Sequence, residues 1–94
     1  MYLRSGWELL YCQFLDKSNI VWEYEPKKFR VLNGKYYIPD FYLPELNEWH
    51  EVKGKWYAAS KRKFNEFQKL YPNEVMKIID SKQIQKIKKQ LEQK

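Results

Sequence analysis

The 94-residue sequence predicts one α+β domain over residues 1–94, with helices and a sheet in three layers. Three observations support this class. The chain opens with a helical apolar pattern, continues with short strand-like segments separated by turns, and ends with two helical patterns on either side of a short apolar segment. Because a chain of this length buries one modest core, we expect a single catalytic site at most.

The first helix is predicted to begin at Ser5, which has the spacing of a capping box with Glu8. An apolar stripe at helical spacing follows: Trp7, Leu10, Tyr11, Phe14 and Leu15. Glu8 lies one position away from this stripe, so its side chain is expected either to cap the helix or to enter a neighbouring cleft. The single cysteine, Cys12, is expected to pack in the core.

Strand-like segments rich in β-branched and aromatic residues come next. They cover residues 20–25, 29–32, 35–43 and 48–53. Asn33-Gly34 is typical of a tight hairpin, Pro39 is compatible with an edge or a bulge, and the turn at 44–47 reverses the chain. We therefore expect an antiparallel meander of three or four strands.

The last part of the chain predicts helix, strand and helix. Gly54 ends the meander, and residues 58–70 have an amphipathic pattern that stops before Pro72. The nearly all-apolar residues 75–79 are typical of a strand covered on both faces and paired in parallel after a helical crossover. Ser81 is expected to cap a final basic helix, which either frays or docks on a partner.

Charge is distributed unevenly along the chain. Residues 1–52 contain six Lys or Arg against eight Asp or Glu, whereas residues 53–94 contain twelve against four, and the net charge is +6. An acidic site beside a basic surface suits a polyanionic partner, although lysine-rich helices are also ordinary solvated surfaces. The aromatic residues are expected mainly in the core, with base stacking as the alternative.

The sequence gives no sign of export or membrane insertion. It contains no apolar run of membrane length, its start lacks the pattern of a signal peptide, and one cysteine cannot form an internal disulfide. We expect a reducing, cytoplasmic setting without a membrane partner.

Asp40, Glu51 and Lys53 form the candidate site. Alternation in a strand places Glu51 and Lys53 on one face and His50 on the other, and the turn at 44–47 returns Asp40 toward them. Two carboxylates and the Val52 carbonyl are suitable ligands for Mg²⁺ or Mn²⁺, and such a site hydrolyses phosphodiester bonds. A Glu and a Lys two residues apart are also common as an exposed pair on a solvated strand.

This pattern, with Pro39 before Asp40 and ten residues between Asp40 and Glu51, resembles the PD-(D/E)XK nuclease superfamily, which has the restriction-endonuclease-like fold. The resemblance covers roughly residues 4–80 and is closest to small phage-type endonucleases and Holliday junction resolvases. Many of these carry an acidic residue on the first helix, the position of Glu8 here. The resemblance implies that Glu8, Asp40 and Glu51 are catalytic carboxylates associated with the metal and that Lys53 assists the attack of water.

We therefore expect a Mg²⁺- or Mn²⁺-dependent DNA endonuclease that forms a homodimer where two strands are cut, with branched or junction DNA as one candidate substrate. A phage-encoded enzyme of this kind would act in the host cytoplasm. The alternatives are a non-catalytic nucleic-acid-binding domain and a nuclease subunit of a larger DNA-processing complex. Four basic residues after the site are candidates for phosphate contacts: Lys55, Lys61, Arg62 and Lys63.

Overall fold

The computed structural model describes residues 6–93, which form an α+β fold with three helices and a mixed sheet. The helices are α1 (Gly6–Lys17), α2 (Ala58–Leu70) and α3 (Ser81–Glu92). The strands are β1 (Glu23–Tyr24), β2 (Phe29–Arg30), β3 (Tyr36–Tyr37), β4 (Phe41–Leu43), β5 (Glu48–Val52) and β6 (Val75–Ile79). Ser5, the predicted cap of the first helix, lies outside the described residues. Among residues 6–93 no helix is long and apolar enough to cross a membrane.

The main sheet has four strands in the order β1-β4-β5-β6, and β2 and β3 form a separate antiparallel ribbon. In the main sheet, β4 pairs antiparallel with both β1 and β5, and β6 pairs parallel with β5. The parallel pairing of β6 confirms the prediction for this segment.

The prediction of one continuous meander is wrong, because the segment 35–43 divides into β3 and β4 at Pro39-Asp40. Pro39 has no N–H to give to a sheet, and the Asp40 carbonyl accepts the Glu25 N–H at 2.8 Å. The chain therefore leaves the ribbon at Asp40 and enters the main sheet. This break, which the apolar pattern alone does not reveal, positions Asp40.

The main sheet has an apolar core on each face. On one face α1 and α3 pack on β4 and β6 through residues that include Leu15, Phe41 and Ile84. On the other face α2 packs with the β2–β3 ribbon against Trp49 of β5, and its central residue is Phe67. Neighbouring residues of β5 therefore face different helices, as expected for the predicted three layers.

The buried face of α1 is rotated slightly from the predicted stripe: Tyr11 and Leu15 are buried as predicted, whereas Leu10 and Phe14 are only partly buried. Four residues are buried at the spacing i, i+3, i+4 and i+7: Glu8, Tyr11, Cys12 and Leu15. Trp7, assigned to the stripe from the sequence, is instead 37% exposed. Glu8 consequently lies on the inner face rather than at its edge, and the packing of Cys12 is confirmed.

Three local predictions require correction. The connection between β2 and β3 is wider than a two-residue turn and includes a 3₁₀ turn over Leu32–Gly34, with Asn33 at φ 62° and Gly34 at φ 69°. Strand β6 is not covered on both faces, because Val75 and Lys77, which lie on the same face, are exposed. Helix α3 is capped by Asp80, which forms a capping box with Gln83, rather than by Ser81.

Candidate active site

The break between β3 and β4 places the Asp40 side chain beside the end of β5. Phe41 pairs with His50 in the antiparallel register, which directs the preceding residue toward Glu51. The Val52 N–H donates a hydrogen bond of 2.8 Å to Asp40 Oδ2. The turn at 44–47 therefore returns Asp40 to the predicted position.

Glu51 is buried between a hydroxyl and an ammonium group. The Tyr37 hydroxyl donates to Glu51 Oε1 at 2.5 Å, and Lys53 Nζ lies 3.3 Å from Glu51 Oε2. Glu51 is only 4% exposed. The pair Glu51–Lys53 is thus not an exposed pair on a solvated strand, which was the simpler interpretation of the sequence.

Lys53 is also held by an aromatic ring. Its Nζ lies 5.3 Å from the centre of the Trp56 ring, a cation–π contact, and a quarter of its side chain is exposed. The Lys53 N–H donates to the Ile79 carbonyl at 3.0 Å, which fixes the backbone beyond the end of β5. The ammonium is therefore oriented by Glu51 and Trp56 while remaining accessible from solvent.

Asp40, Glu51 and Lys53 line one open cleft of about 230 Å³. The opposite wall belongs to α2, which contributes Ser60 and Lys63. The ribbon strand β3 and the residue after it supply the remaining lining: Tyr36, Tyr37 and Ile38. The cleft thus combines two carboxylates with two ammonium groups at the junction of the sheet, the ribbon and α2.

Glu8 approaches this group from α1, on the other face of the sheet. It is 5% exposed, and its charge raises the pKa of both Asp40 and Glu51. Glu8 does not line the cleft itself. The structure thus brings Glu8 within electrostatic range of the other carboxylates.

The carboxylates have unusual proton affinities. Burial, reinforced by the Glu51 charge, raises the pKa of Asp40 to about 7, although the Val52 N–H opposes this change. Burial also raises the pKa of Glu51, against the opposing effects of Tyr37 and Lys53. Burial and the Glu51 charge raise the pKa of Tyr37, so its hydroxyl remains a hydrogen-bond donor at neutral pH.

The donor atoms in the cleft suit a hard cation. Within residues 6–93 there is no group of three Asp, Glu, His or Cys side chains arranged to hold a metal ion. Mg²⁺ keeps several waters and requires only one or two carboxylates, and Asp40 and Glu51 both line the cleft. These two residues therefore fit a magnesium site, whereas ligation by Glu8 or by the Val52 carbonyl stays a prediction.

The four basic candidates are distributed differently around the cleft. Lys63 lines it, and Arg62 lines an adjoining cleft of about 160 Å³ that also includes Lys63. Lys55 Nζ lies 5.4 Å from the centre of the Tyr57 ring. Lys55 and Lys61 are exposed and line neither of these two clefts, so their contact with DNA stays a prediction.

Sequence reasoning missed Tyr37 and Ser60. Alternation in β3 shows that one of Tyr36 and Tyr37 points inward, but the pattern does not identify which one. The contact between Tyr37 and Glu51 forms because the ribbon packs over the sheet. No local sequence pattern predicts this packing.

His50 lies on the face opposite the cleft, as alternation predicted. It is buried, its Nδ1 is hydrogen-bonded to the Tyr11 hydroxyl, and its Nε2 lies 3.0 Å from Glu48 Oε1. Burial lowers the pKa of His50. His50 therefore connects α1 to β5 and does not take part in the cleft.

Gly54, immediately after Lys53, is packed against the Trp7 ring of α1. A Cβ atom at Gly54 would lie 2.4 Å from the nearest ring atom, whereas a Cβ atom at Gly6 would have no neighbour within 4 Å. We expect Gly54→Ala to displace Trp7 and lower the free energy of unfolding by about 1–3 kcal/mol. Urea denaturation tests this expectation, with Gly6→Ala as the matched control. Equal stability of the two variants would contradict the close contact.

Comparisons with models of protein families, with curated proteins and with solved structures found no match for this chain. The resemblance to the PD-(D/E)XK superfamily consequently depends on the sequence motifs alone.

Proposed function

We propose that this protein is a divalent-metal-dependent endodeoxyribonuclease of the PD-(D/E)XK type. The observation that carries the proposal is the setting of Glu51. A buried carboxylate lies between the Tyr37 hydroxyl and the Lys53 ammonium, in the same cleft as Asp40. An ion pair that only stabilises the fold does not require a second buried carboxylate beside it. Asp40 is such a carboxylate, and its pKa is raised to about 7, which favours a functional site.

The topology supports a restriction-endonuclease-like fold for this chain. Helix α1 precedes the antiparallel strands, α2 then crosses over, and β6 returns parallel to β5 before α3. Asp40 immediately precedes β4, Glu51 lies in the antiparallel neighbour β5, and Glu8 reaches the same region from α1. This is the arrangement that the resemblance to the superfamily implies.

In the proposed mechanism, Asp40 and Glu51 are the residues that would hold Mg²⁺. When bound, the ion polarises the phosphate and lowers the pKa of an attacking water. Lys53, fixed by Glu51 and Trp56, places a positive charge where negative charge develops on the phosphoryl oxygens. Lys63 and the Ser60 hydroxyl bind the phosphate from the wall formed by α2.

Cleavage of plasmid, branched and single-stranded DNA, with Mg²⁺ and with a chelator, tests this proposal. We expect cleavage of at least one of these substrates in Mg²⁺ and none in the chelator. Asp40→Asn and Glu51→Gln should each be inactive, while Glu92→Gln, a change at an exposed carboxylate on α3, should retain activity. Activity that survives chelation or the Asp40 change would contradict the proposal.

A non-catalytic nucleic-acid-binding domain is the second candidate. The observation that favours it is that both oxygens of Glu51 already have partners, Tyr37 and Lys53, so a cation must share them. Such a domain would bind DNA in a salt-dependent manner and would cut none of the three substrates in Mg²⁺ or Mn²⁺. A subunit that requires a larger DNA-processing complex would become active only when its partners are added.

We further propose that the enzyme acts in the cytoplasm and forms a homodimer on any substrate that requires cuts in both strands, because each chain provides one site. Sedimentation of the free protein and of its complex with a four-way junction tests the second point. We expect two chains for each junction. A single chain bound to a junction that is nonetheless cut in two strands would contradict it.

A further inference from the structure

An exposed tyrosine forms part of the rim of the candidate site. Tyr36 lines the cleft and is 42% exposed, while its neighbour Tyr37 is buried against Glu51. Ile38, on the same side of the chain as Tyr36, lines the cleft and is also exposed. A large apolar surface therefore stands open to solvent beside two carboxylates and two ammonium groups.

Exposed rings near the cleft each have a lysine above them. Lys28 Nζ lies 4.5 Å from the centre of the Tyr36 ring, and Lys55 Nζ lies 5.4 Å from that of Tyr57, which is 65% exposed. A ring with an ammonium over one face can offer its other face to a base, and the ammonium offers a charge to the adjoining phosphate. The combination suits a nucleotide better than an isolated phosphate.

A basic path continues from the cleft toward the tip of the ribbon. The adjoining cleft shares Lys63 with the candidate site and contains Arg62 and Lys35. Its one carboxylate, Glu66, accepts the Leu32 N–H at 3.2 Å and so joins the turn of the ribbon to α2. Three cations therefore follow one another along a groove between α2 and the ribbon.

We propose that this groove holds the cut strand in an unpaired form, with the scissile phosphate on Lys63, a base beside it stacked on Tyr36, and the next phosphates along the strand on Arg62 and Lys35. In a continuous duplex each base face is covered by its stacked neighbours, so a protein ring reaches a base face where stacking is interrupted, which an unpaired strand allows without kinking a duplex. The substrate class is accordingly single-stranded DNA, or a strand opened at a branch or a frayed end. This inference rests on the proposed nuclease function, because only a nuclease has a scissile phosphate in this groove.

Binding in a chelator separates this inference from the nuclease proposal, because no cleavage is needed. The probe is a single-stranded oligodeoxynucleotide that contains a fluorescent adenine analogue whose emission falls when it stacks on a ring. We expect Tyr36→Leu to weaken single-strand binding about ten-fold and to abolish the loss of emission. Tyr36→Phe, which keeps the ring, and Leu46→Ala, a change at an exposed apolar residue of the β4–β5 turn, should both behave as the wild type.

A second pair of variants tests the basic path without changing the ring. Lys63→Ala should reduce the slope of the logarithm of single-strand affinity against the logarithm of salt concentration by about 0.7, the value for one lost phosphate contact. Lys69→Ala, on the same helix but at its exposed far end, should leave the slope unchanged. Equal effects of the two changes would contradict the path.

The preference for unpaired strands is the deciding result. We expect Tyr36→Leu to lower single-strand affinity while changing the affinity for a continuous duplex of the same sequence by less than about two-fold. An unchanged ratio of the two affinities would overturn the inference, even if Mg²⁺-dependent cleavage is observed. Conversely, stacking on Tyr36 without any metal-dependent cleavage would support this surface and reject the nuclease function.

Discussion

Lys53→Met is expected to lower the rate of Mg²⁺-dependent DNA cleavage by about 100- to 1,000-fold. The change removes the charge that faces the phosphate while keeping an unbranched apolar side chain against Trp56. Single-turnover cleavage at saturating enzyme measures this effect, because it separates the chemical step from DNA binding.

The matched control is Lys69→Met, which makes the same change in charge at an exposed position near the end of α2. We expect its single-turnover rate to stay within a few-fold of the wild type. Circular dichroism of both variants should show the helix content of the parent. If Lys53→Met cleaves at the wild-type rate, Lys53 has no part in the chemistry.

Asp40→Asn is expected to stabilise the metal-free protein at high pH although it abolishes activity. The pKa of Asp40 is raised to about 7 in the folded protein, chiefly by burial and by Glu51, whereas an unfolded aspartate has the ordinary value of 3.8. Between these two values the folded state binds more protons than the unfolded state, so the free energy of unfolding falls as the pH rises through this window. For Asp40 the loss is about 2–4 kcal/mol.

Urea denaturation of the metal-free protein at about pH 4 and about pH 8 measures this effect. The wild type and Asp40→Asn should have similar stability at the lower pH, and the variant should be more stable by about 2–4 kcal/mol at the higher pH. Glu92→Gln, which changes an exposed carboxylate, should follow the wild type at both values. If the variant is less stable than the wild type at the higher pH, the prediction is wrong. The ionised Asp40 carboxylate would then be stabilised by its partners, the Val52 N–H and Lys53, by more than burial destabilises it.

The positions of the helices and of β5 and β6 could be predicted because their signals are local. Apolar residues at helical spacing defined α1, α2 and α3, and the short apolar segment after a helix indicated the parallel strand β6. The turn at 44–47 indicated the pairing that brings Asp40 to Glu51. These sequence signals do not depend on how the ribbon folds.

The division of the strands between two sheets could not be predicted in the same way. The sequence from Lys35 to Leu43 is rich in aromatic residues and was predicted as one strand, with Pro39 compatible with an edge or a bulge. Its two halves have different partners, β2 for the first and both β1 and β5 for the second, and partner choice depends on contacts distant in sequence. The break at Pro39-Asp40 is therefore a tertiary feature.

Within the site, the sequence identified the charged residues but not the groups that orient them. Asp40, Glu51 and Lys53 stood out by their spacing, and Glu8 by the resemblance. Tyr37 was missed because a tyrosine in an aromatic-rich strand has the ordinary appearance of core. Its hydroxyl nevertheless donates to Glu51. Because of this contact, Glu51 is buried and held by two partners, unlike a carboxylate in an exposed ion pair on a strand.

The most direct test of whether Asp40 and Glu51 form a metal site is a measurement of Mn²⁺ binding to the DNA-free protein. Bound Mn²⁺ is detected as a loss of the electron paramagnetic resonance signal of the free ion. We predict that the wild type binds Mn²⁺ and that Asp40→Asn and Glu51→Gln each weaken binding at least about ten-fold, because one of two carboxylate ligands is lost. Glu48→Gln, a change on the same strand but on the face opposite the cleft, should bind Mn²⁺ as the wild type does. Mn²⁺ affinity that is the same in all four proteins would contradict the metal site and, with it, the proposed nuclease mechanism.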